Sequence, residues 1–277
     1  MPTDEFCKRP VMVFSERTGM KKIKEIFSYR DMIRGLVKRD LRGRYKGSVL
    51  GFLWNFVNPL CQIIVYSIVF SNILKNDIEK YPIFLIIGLM PWNFFAESLT
   101  QGSGCILHQA DLTKKIYFPR EVLPISTVIS RFINLLITMI IMFAIILISG
   151  VGIKVSVLVY LPIVMVVEII MALGFTLLLS AIDVYFRDVE YMTGVVMMAW
   201  VWVTPIMYSF SSLSGTLASF VAKNPMTPVI CAYQSILYYH VAPDMVALGK
   251  SALFSLVVLG IGAFVFRKLE GHFAELL

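Results

Sequence analysis

Charged residues are scarce in this chain. They make up 16% of it, against about 25% in ordinary soluble domains, while hydrophobic residues reach 58%. That balance excludes a soluble domain built around a single core and points to a chain solvated mainly by lipid. Cysteine and histidine are sparse as well. Cys7, Cys61, Cys105 and Cys231 are too scattered for a disulfide framework or a thiolate metal site. His108, His240 and His272 stand alone, so no metal is expected. A glycine-rich nucleotide cradle is missing too. The lone Gly-Lys-Ser, at 249–251, has Asp244 where the first glycine of a G-x-x-x-x-G-K-[ST] loop belongs. Work driven by ATP would therefore need a separate ATPase chain. The N-terminus lacks a basic stretch leading straight into an apolar core, so no cleaved signal peptide is expected.

What the chain has in quantity is long apolar runs. A helix needs about 20 apolar residues to cross the hydrocarbon layer. Six segments meet that length: 49–74, 81–104, 122–149, 155–182, 191–210 and 245–266. Helices satisfy every backbone polar group without water, and the unbroken runs do not alternate as barrel strands do. The expected fold is thus an all-α integral membrane protein with six transmembrane helices. Six crossings put both termini on one side. With the N-terminus inside, the inner segments hold 19 Lys and Arg, 13 of them in residues 1–48, and the outer loops hold four. This asymmetry predicts a multi-pass protein of the cytoplasmic membrane with both termini in the cytoplasm. It also explains the net charge of +7 without nucleic acid, which is not an expected partner.

Two regions depart from plain spans. In the cytoplasmic arm 1–48, residues 21–46 place Ile23, Ile26, Phe27, Ile33, Leu36, Val37 and Leu41 at helical spacing among cations. That pattern predicts an amphipathic helix in the membrane interface. It reads either as an anchor or as a place where Arg39, Arg42, Arg44 and Lys46 gather a phosphate-bearing lipid. Residues 211–244 are apolar but broken at Asn224-Pro225 and Pro228. They predict one or two short re-entrant or interfacial helices in the last outer loop, before the sixth span and the tail 267–277.

Inside the spans the acids are Glu97 and Glu168. Each reads either as a neutral or paired group, with Arg131 or Asn134 as partner, or as a proton relay or substrate contact. The aromatic groups Trp54/Phe56, Trp92/Phe94/Phe95, Trp200/Trp202/Tyr208 and Tyr233/Tyr238/Tyr239 fit interfacial belts. Their flat faces with polar tips would equally suit sugar rings in a channel.

The blocks RDLRGRYKGSVLGFLWNFVNPL (39–60), GLMPWNFFAESL (88–99), KKIYFPREVLP (114–124), VYFRDVEY (184–191), TPIMYS (204–209) and NPMTP (224–228) occur in that order. Together they resemble the membrane subunits of type-2 ATP-binding-cassette exporters, and more narrowly the permeases for O-antigen, capsule or teichoic-acid polymers. The resemblance spans roughly residues 30–270. It implies a homodimer bound to two copies of an ATPase that holds the ATP and Mg, with no cofactor and no catalytic site in this chain. It implies a coupling helix in 105–121, for which Lys114, Lys115, Tyr117, Phe118, Arg120 and Glu121 are the candidates, with the loop around Val184, Tyr185, Phe186, Arg187 and Asp188 as a second contact or a turn that stabilises it. Aromatic and Arg anchors suit such a surface because interface energy concentrates in them.

The same resemblance implies that a lipid-linked polysaccharide is recruited by its pyrophosphate near Arg39, Arg42, Arg44 and Lys46. Trp54, Trp92, Phe94, Phe95, Trp200, Trp202 and Tyr208 become candidates to line or flank the polymer channel. Asn224, Pro225, Tyr233 and Tyr238 become candidates for an outer gate. Three rivals remain at this point: a type-2 exporter of a small molecule or drug, a proton-coupled carrier using Glu97 and Glu168, and a membrane transferase. The arginine-rich arm and spread of aromatics weigh against the first, and the missing internal repeat against the second. A transferase would want paired acids or a metal site, and neither is seen.

Overall fold

The computed structural model describes residues 26–43, 54–69, 78–115 and 118–276. Every regular element among them is helical. The elements are α1 (Arg30–Gly43), α2 (Trp54–Ser67), α3 (Tyr81–Ser103), α4 (Ala110–Lys115), α5 (Val122–Ile148), α6 (Val155–Leu158), α7 (Leu161–Asp183), α8 (Val189–Val203), α9 (Gly215–Ala222), α10 (Met226–Leu237), α11 (Met245–Glu270) and α12 (Phe273–Leu276).

Start signals are local. Pro82 and Pro162 stand in the first turns of α3 and α7, where a missing N–H costs nothing. The Asp244 carboxylate caps α11 by accepting from the Val246 and Ala247 amides at 2.9 and 3.1 Å. Four stretches are long and apolar enough to cross a membrane: Tyr81–Ser103, Val122–Ile148, Val155–Asp183 and Met245–Glu270. The third joins α6 and α7. The two other expected spans correspond to α2, described over 14 residues, and α8, with 15.

α3 is the hub. It packs on α2, α5, α7, α8 and α10, and Phe84, Leu85, Ile87 and Phe95 on it are fully enclosed. The other long helices bury one face and expose an apolar one. On α11 the outer face carries Leu253, Leu256, Val257, Ile261 and Phe264, and on α5 it carries Ile140 and Leu147. Such a surface would be a liability in water, and in hydrocarbon it is the natural exterior.

α7 and α11 make the closest helix pair. A Cβ at Gly262 would lie 2.3 Å from the Gly174 carbonyl oxygen, and one at Gly174 would lie 2.6 Å from the Leu259 amide nitrogen. Glycine at both positions lets the two backbones touch, which is how helices associate where the hydrophobic effect is absent.

The core divides in two. A large cluster fills the bundle, from Tyr81 on α3 to Leu248 on α11. A smaller one gathers Leu36, Ile106, Phe118, Leu123, Val184, Phe266 and Phe273 at the end of the bundle where the cations collect. We call this the basic end. The 211–244 segment lies at the opposite end as the short helices α9 and α10, and α10 is buried against α3, α7 and α11.

Candidate functional site

The connection from α3 to α5 is built against the basic end. Gly104 lets the chain pass beside the His108–Glu190 pair, because a Cβ there would meet the Glu190 carboxylate at 2.3 Å. His108 Nε2 and Glu190 Oε2 are 3.2 Å apart. Cys105 and Ile106 are buried behind it, and burial pushes the Cys105 thiol well above its ordinary value, which makes it inert. A 3-10 turn over Leu107–Gln109 leads into α4, and the Arg39 guanidinium donates to Gln109 Oε1 at 2.5 Å. Lys114 is exposed on α4. The side chain of Lys115, and Tyr117, lie outside the described residues, as do Arg44 and Lys46.

Beyond α4 the chain is locked to the end of α11. Phe118 is buried in the small cluster. Arg120 Nη1 donates to the Glu270 carbonyl at 2.6 Å, and its guanidinium lies 5.6 Å from the centroid of the Phe273 ring. The Arg120 amide donates to Glu270 Oε1, and buried Glu121 lies 3.6 Å from Arg267. The turn between α7 and α8 meets the same place, since the Tyr185 hydroxyl donates to the Leu269 carbonyl at 3.3 Å. Arg187 and Asp188 at the tip of that turn are exposed. The two loops therefore share one anchor, residues 266–273.

Nearby, Arg131 on α5 is 3% exposed and meets two carboxylates. Its Nη2 donates to Asp40 Oδ2 at 3.1 Å, and its Nη1 to Glu97 Oε2 at 3.4 Å. The Ser130 hydroxyl also donates to Asp40. Asp40 thus rivets α1 onto α5, and Glu97 takes Arg131, one of the two partners its sequence offers.

The expected channel aromatics separate into two sets. Trp92, Phe94 and Phe95 are core residues of the chain, packed by Trp200, Phe175 and Phe132 in tilted and edge-on contacts of 5.6–6.3 Å. Trp54 and Trp202 are exposed, and Tyr208 is half-buried with its hydroxyl on the Trp202 carbonyl.

At the opposite end Asn224 ties α8 to α10. Its Oδ1 accepts from Trp200 Nε1 and from the Met226 amide, and its Nδ2 donates to the Thr204 hydroxyl. The Pro225 carbonyl accepts from Ser251 at 2.7 Å. Tyr233 is fully buried and its hydroxyl donates to Glu168 Oε2 at 2.8 Å. The Tyr238 hydroxyl reaches the Glu79 carbonyl.

Residues 32–238 match the family model described as ABC-2 type transporter. The chain belongs to the ABC-2 type transporter family. An O-antigen export system permease of Myxococcus xanthus, RfbA, is 33% identical over 255 residues, covering 91% of this chain and 98% of the relative. A Klebsiella pneumoniae RfbA is 29% identical, with 89% and 95% covered. The polysialic acid transport protein KpsM of Escherichia coli is 23% identical, with 86% and 93% covered.

Membership identifies the chain as a multi-pass membrane permease, the non-catalytic subunit of an ABC-2 transporter. Its Gly-Lys-Ser agrees with that role: residues 249–251 lie inside α11, and Ser251 is spent on the Pro225 carbonyl. Three residues of this permease escape a reading of its sequence. Asp40, Glu270 and Phe273 look like ordinary surface or tail residues, and their partners lie 91, 150 and about 150 positions away. A usable signal was present only for Asp40, which stands in the RDLRGR block.

Proposed function

We propose that this permease is the membrane subunit of a type-2 ATP-binding-cassette exporter that carries a lipid-linked polysaccharide across the cytoplasmic membrane, powered by a separate ATPase. The observation that carries the proposal is the near end-to-end match to O-antigen export permeases, 33% identical over 98% of the relative's length. Both termini are cytoplasmic, so the basic end faces the ATPase. Six spans cross, with α2 and α8 as the first and fifth, and α9–α10 re-enter from outside as a gate.

The active unit is a homodimer with two copies of the ATPase, which hold ATP and Mg. α8 supports the second copy. Its 15 residues span about 22 Å, short of the roughly 30 Å hydrocarbon core, and it exposes Tyr191, Met198 and Trp202. The polymer passes between the copies beside the exposed rings of Trp54 and Trp202. Trp92, Phe94, Phe95 and Trp200 stiffen the wall behind them. Its lipid pyrophosphate is first held near Arg39, Arg42, Arg44 and Lys46.

Coupling follows from how the α3–α5 connection is anchored. Lys114, Lys115 and Tyr117 would receive the push of the ATPase, with Arg187 and Asp188 as the second contact. Phe118, Arg120 and Glu121 join that loop to the start of α5 and the end of α11 through ring burial and charged hydrogen bonds, which are roughly twice as strong as neutral ones. Movement of the ATPase thereby reaches two membrane helices at once.

The test is reconstitution of the permease with its ATPase in proteoliposomes holding lipid-linked polymer. Polymer should become accessible on the far side only with hydrolysable ATP. Export that continues without ATP and follows a proton gradient would overturn the proposal in favour of a carrier, and a complex that moves only small molecules would overturn its cargo.

A further inference from the structure

α1 does not lie flush on α5. Between them runs a groove of about 720 Å³, towards the upper end of the range of small-ligand sites. One wall is the α5 row Ile125, Ile129 and Ile133, four residues apart and therefore on one side of the helix. The other wall carries Arg30, Arg34, Lys38 and Arg42, also four apart, above Val37 and Leu41. Among the described residues that line the groove, none is acidic. Both helices are held around it by the Asp40–Arg131 pair, so the groove is a fixed part of the packing.

We propose that this groove binds an anionic phospholipid of the surrounding bilayer, its acyl chain along Ile125–Ile129–Ile133 and its phosphate on Lys38 and Arg42. Charge selects the lipid, since an apolar trough with a purely cationic edge favours a chain that ends in an anion. Position selects the bilayer as its source, because α5 is a spanning helix and turns its exposed apolar face to hydrocarbon. Within the cationic row, Arg34 is paired with Asp31 at 3.2 Å and Arg30 sits 5.8 Å from the Phe27 ring, which leaves the Lys38–Arg42 half for the phosphate. The four cations are strung about 6 Å apart along the helix axis rather than converging on one point. That spacing suits a singly charged phosphodiester better than a pyrophosphate, which wants convergent donors. A lipid seated there would bridge α1 to α5 and make the arm's docking depend on membrane charge.

The experiment is native mass spectrometry of the full chain without ATPase or polymer, titrated with phosphatidylglycerol and with phosphatidylcholine of identical acyl chains. Phosphatidylglycerol should occupy one site per chain at least tenfold more tightly, and Lys38→Glu with Arg42→Glu should erase that preference, since each cation at an anionic surface contributes severalfold. Ile129→Trp should fill the trough and abolish binding of both lipids with the melting temperature unchanged. Ile125→Phe, nearer the start of α5, provides a second variant should Ile129→Trp fail to fold. Equal affinity for the two lipids, or undiminished binding in the filled variants, overturns the proposal. Arg42 is shared with the carrier's recruitment cluster, so an isoprenoid pyrophosphate at equal concentration should lower phosphatidylglycerol occupancy only in part, and complete displacement overturns the proposal by making the groove the carrier's site. A change of oligomeric state in Ile129→Trp would mark a second copy as the occupant, and binding that appears only after removal of residues 1–20 would mark the chain's own N-terminus.

Discussion

Arg131 and Glu168 are both ionisable residues placed deep in apolar helices, and the two ends of the bundle treat them differently. Near the basic end, Arg131 meets two carboxylates whose side chains are 39% and 40% exposed, Asp40 on the amphipathic α1 and Glu97 on α3. At the opposite end Glu168 is fully enclosed and receives one hydroxyl, from Tyr233 on α10. The first arrangement is a partly wetted network in which one cation holds α1 and α3 to α5. The second is a dry contact between one donor and one acceptor on two packed helices, α10 and α7. A charge shared with exposed carboxylates keeps access to water, whereas an enclosed pair depends on its single partner.

The sharpest way to break this contrast is to act on the α7–α11 contact that joins the ends. Gly174→Leu places side-chain atoms against the Leu259 backbone, which cannot move aside as a rotamer would. The variant should lose more than about 3 kcal/mol and fail to purify as a folded species by size-exclusion chromatography in detergent. Arg131→Met comes next. It leaves Asp40 and Glu97 without their shared cation, at a cost of about 2–3 kcal/mol after allowing for their partial exposure. Protease cleavage within α1 should accelerate while cleavage at the 211–244 segment stays unchanged, and equal acceleration at both would dissolve the distinction drawn here.

Tyr233→Phe tests the dry end. It removes the one hydroxyl that reaches Glu168 and should cost about 1–3 kcal/mol. Adding Glu168→Met should recover most of that loss, because a pair replaced by apolar groups of similar shape is near neutral. No recovery in such a double-mutant cycle would mean that Glu168 has a use beyond this contact. Arg120→Ala is the mildest in stability, about 1–2 kcal/mol, since Arg120 is half-buried and the Phe118 ring stays in place. Its effect should fall on coupling: ATPase binding retained, and polymer exported per ATP reduced several-fold in proteoliposomes.

Much of the basic end was legible beforehand. Lys114, Lys115 and Arg120 stand out in an apolar chain, and Arg131 is one of two partners, with Asn134, that the sequence offers for Glu97 or Glu168. What the reading could not supply was the third member, Asp40, or the use of Glu270 and Phe273 as the seat for Arg120. Those pairings depend on how helices far apart in sequence cross. The aromatics show the same limit. Composition treats Trp92 and Trp202 alike, yet one is buried against Phe95 and Trp200 and the other is exposed.

The sequence by itself determined that the chain is helical and lipid-solvated, where its long apolar stretches begin and end, which segments carry the cations, and that 211–244 is broken into short pieces. Those properties follow from local rules: run length, proline and asparagine punctuation, and the cost of moving charge into hydrocarbon. Only the tertiary structure decided that α3 is the hub, that Gly174 and Gly262 bring two backbones into contact, that α10 is buried against three longer helices, and that a cation-edged trough runs beside α5. Each of these is a matter of which faces meet, and in a chain apolar on nearly every side no hydrophobic pattern distinguishes a face that meets protein from one that meets lipid.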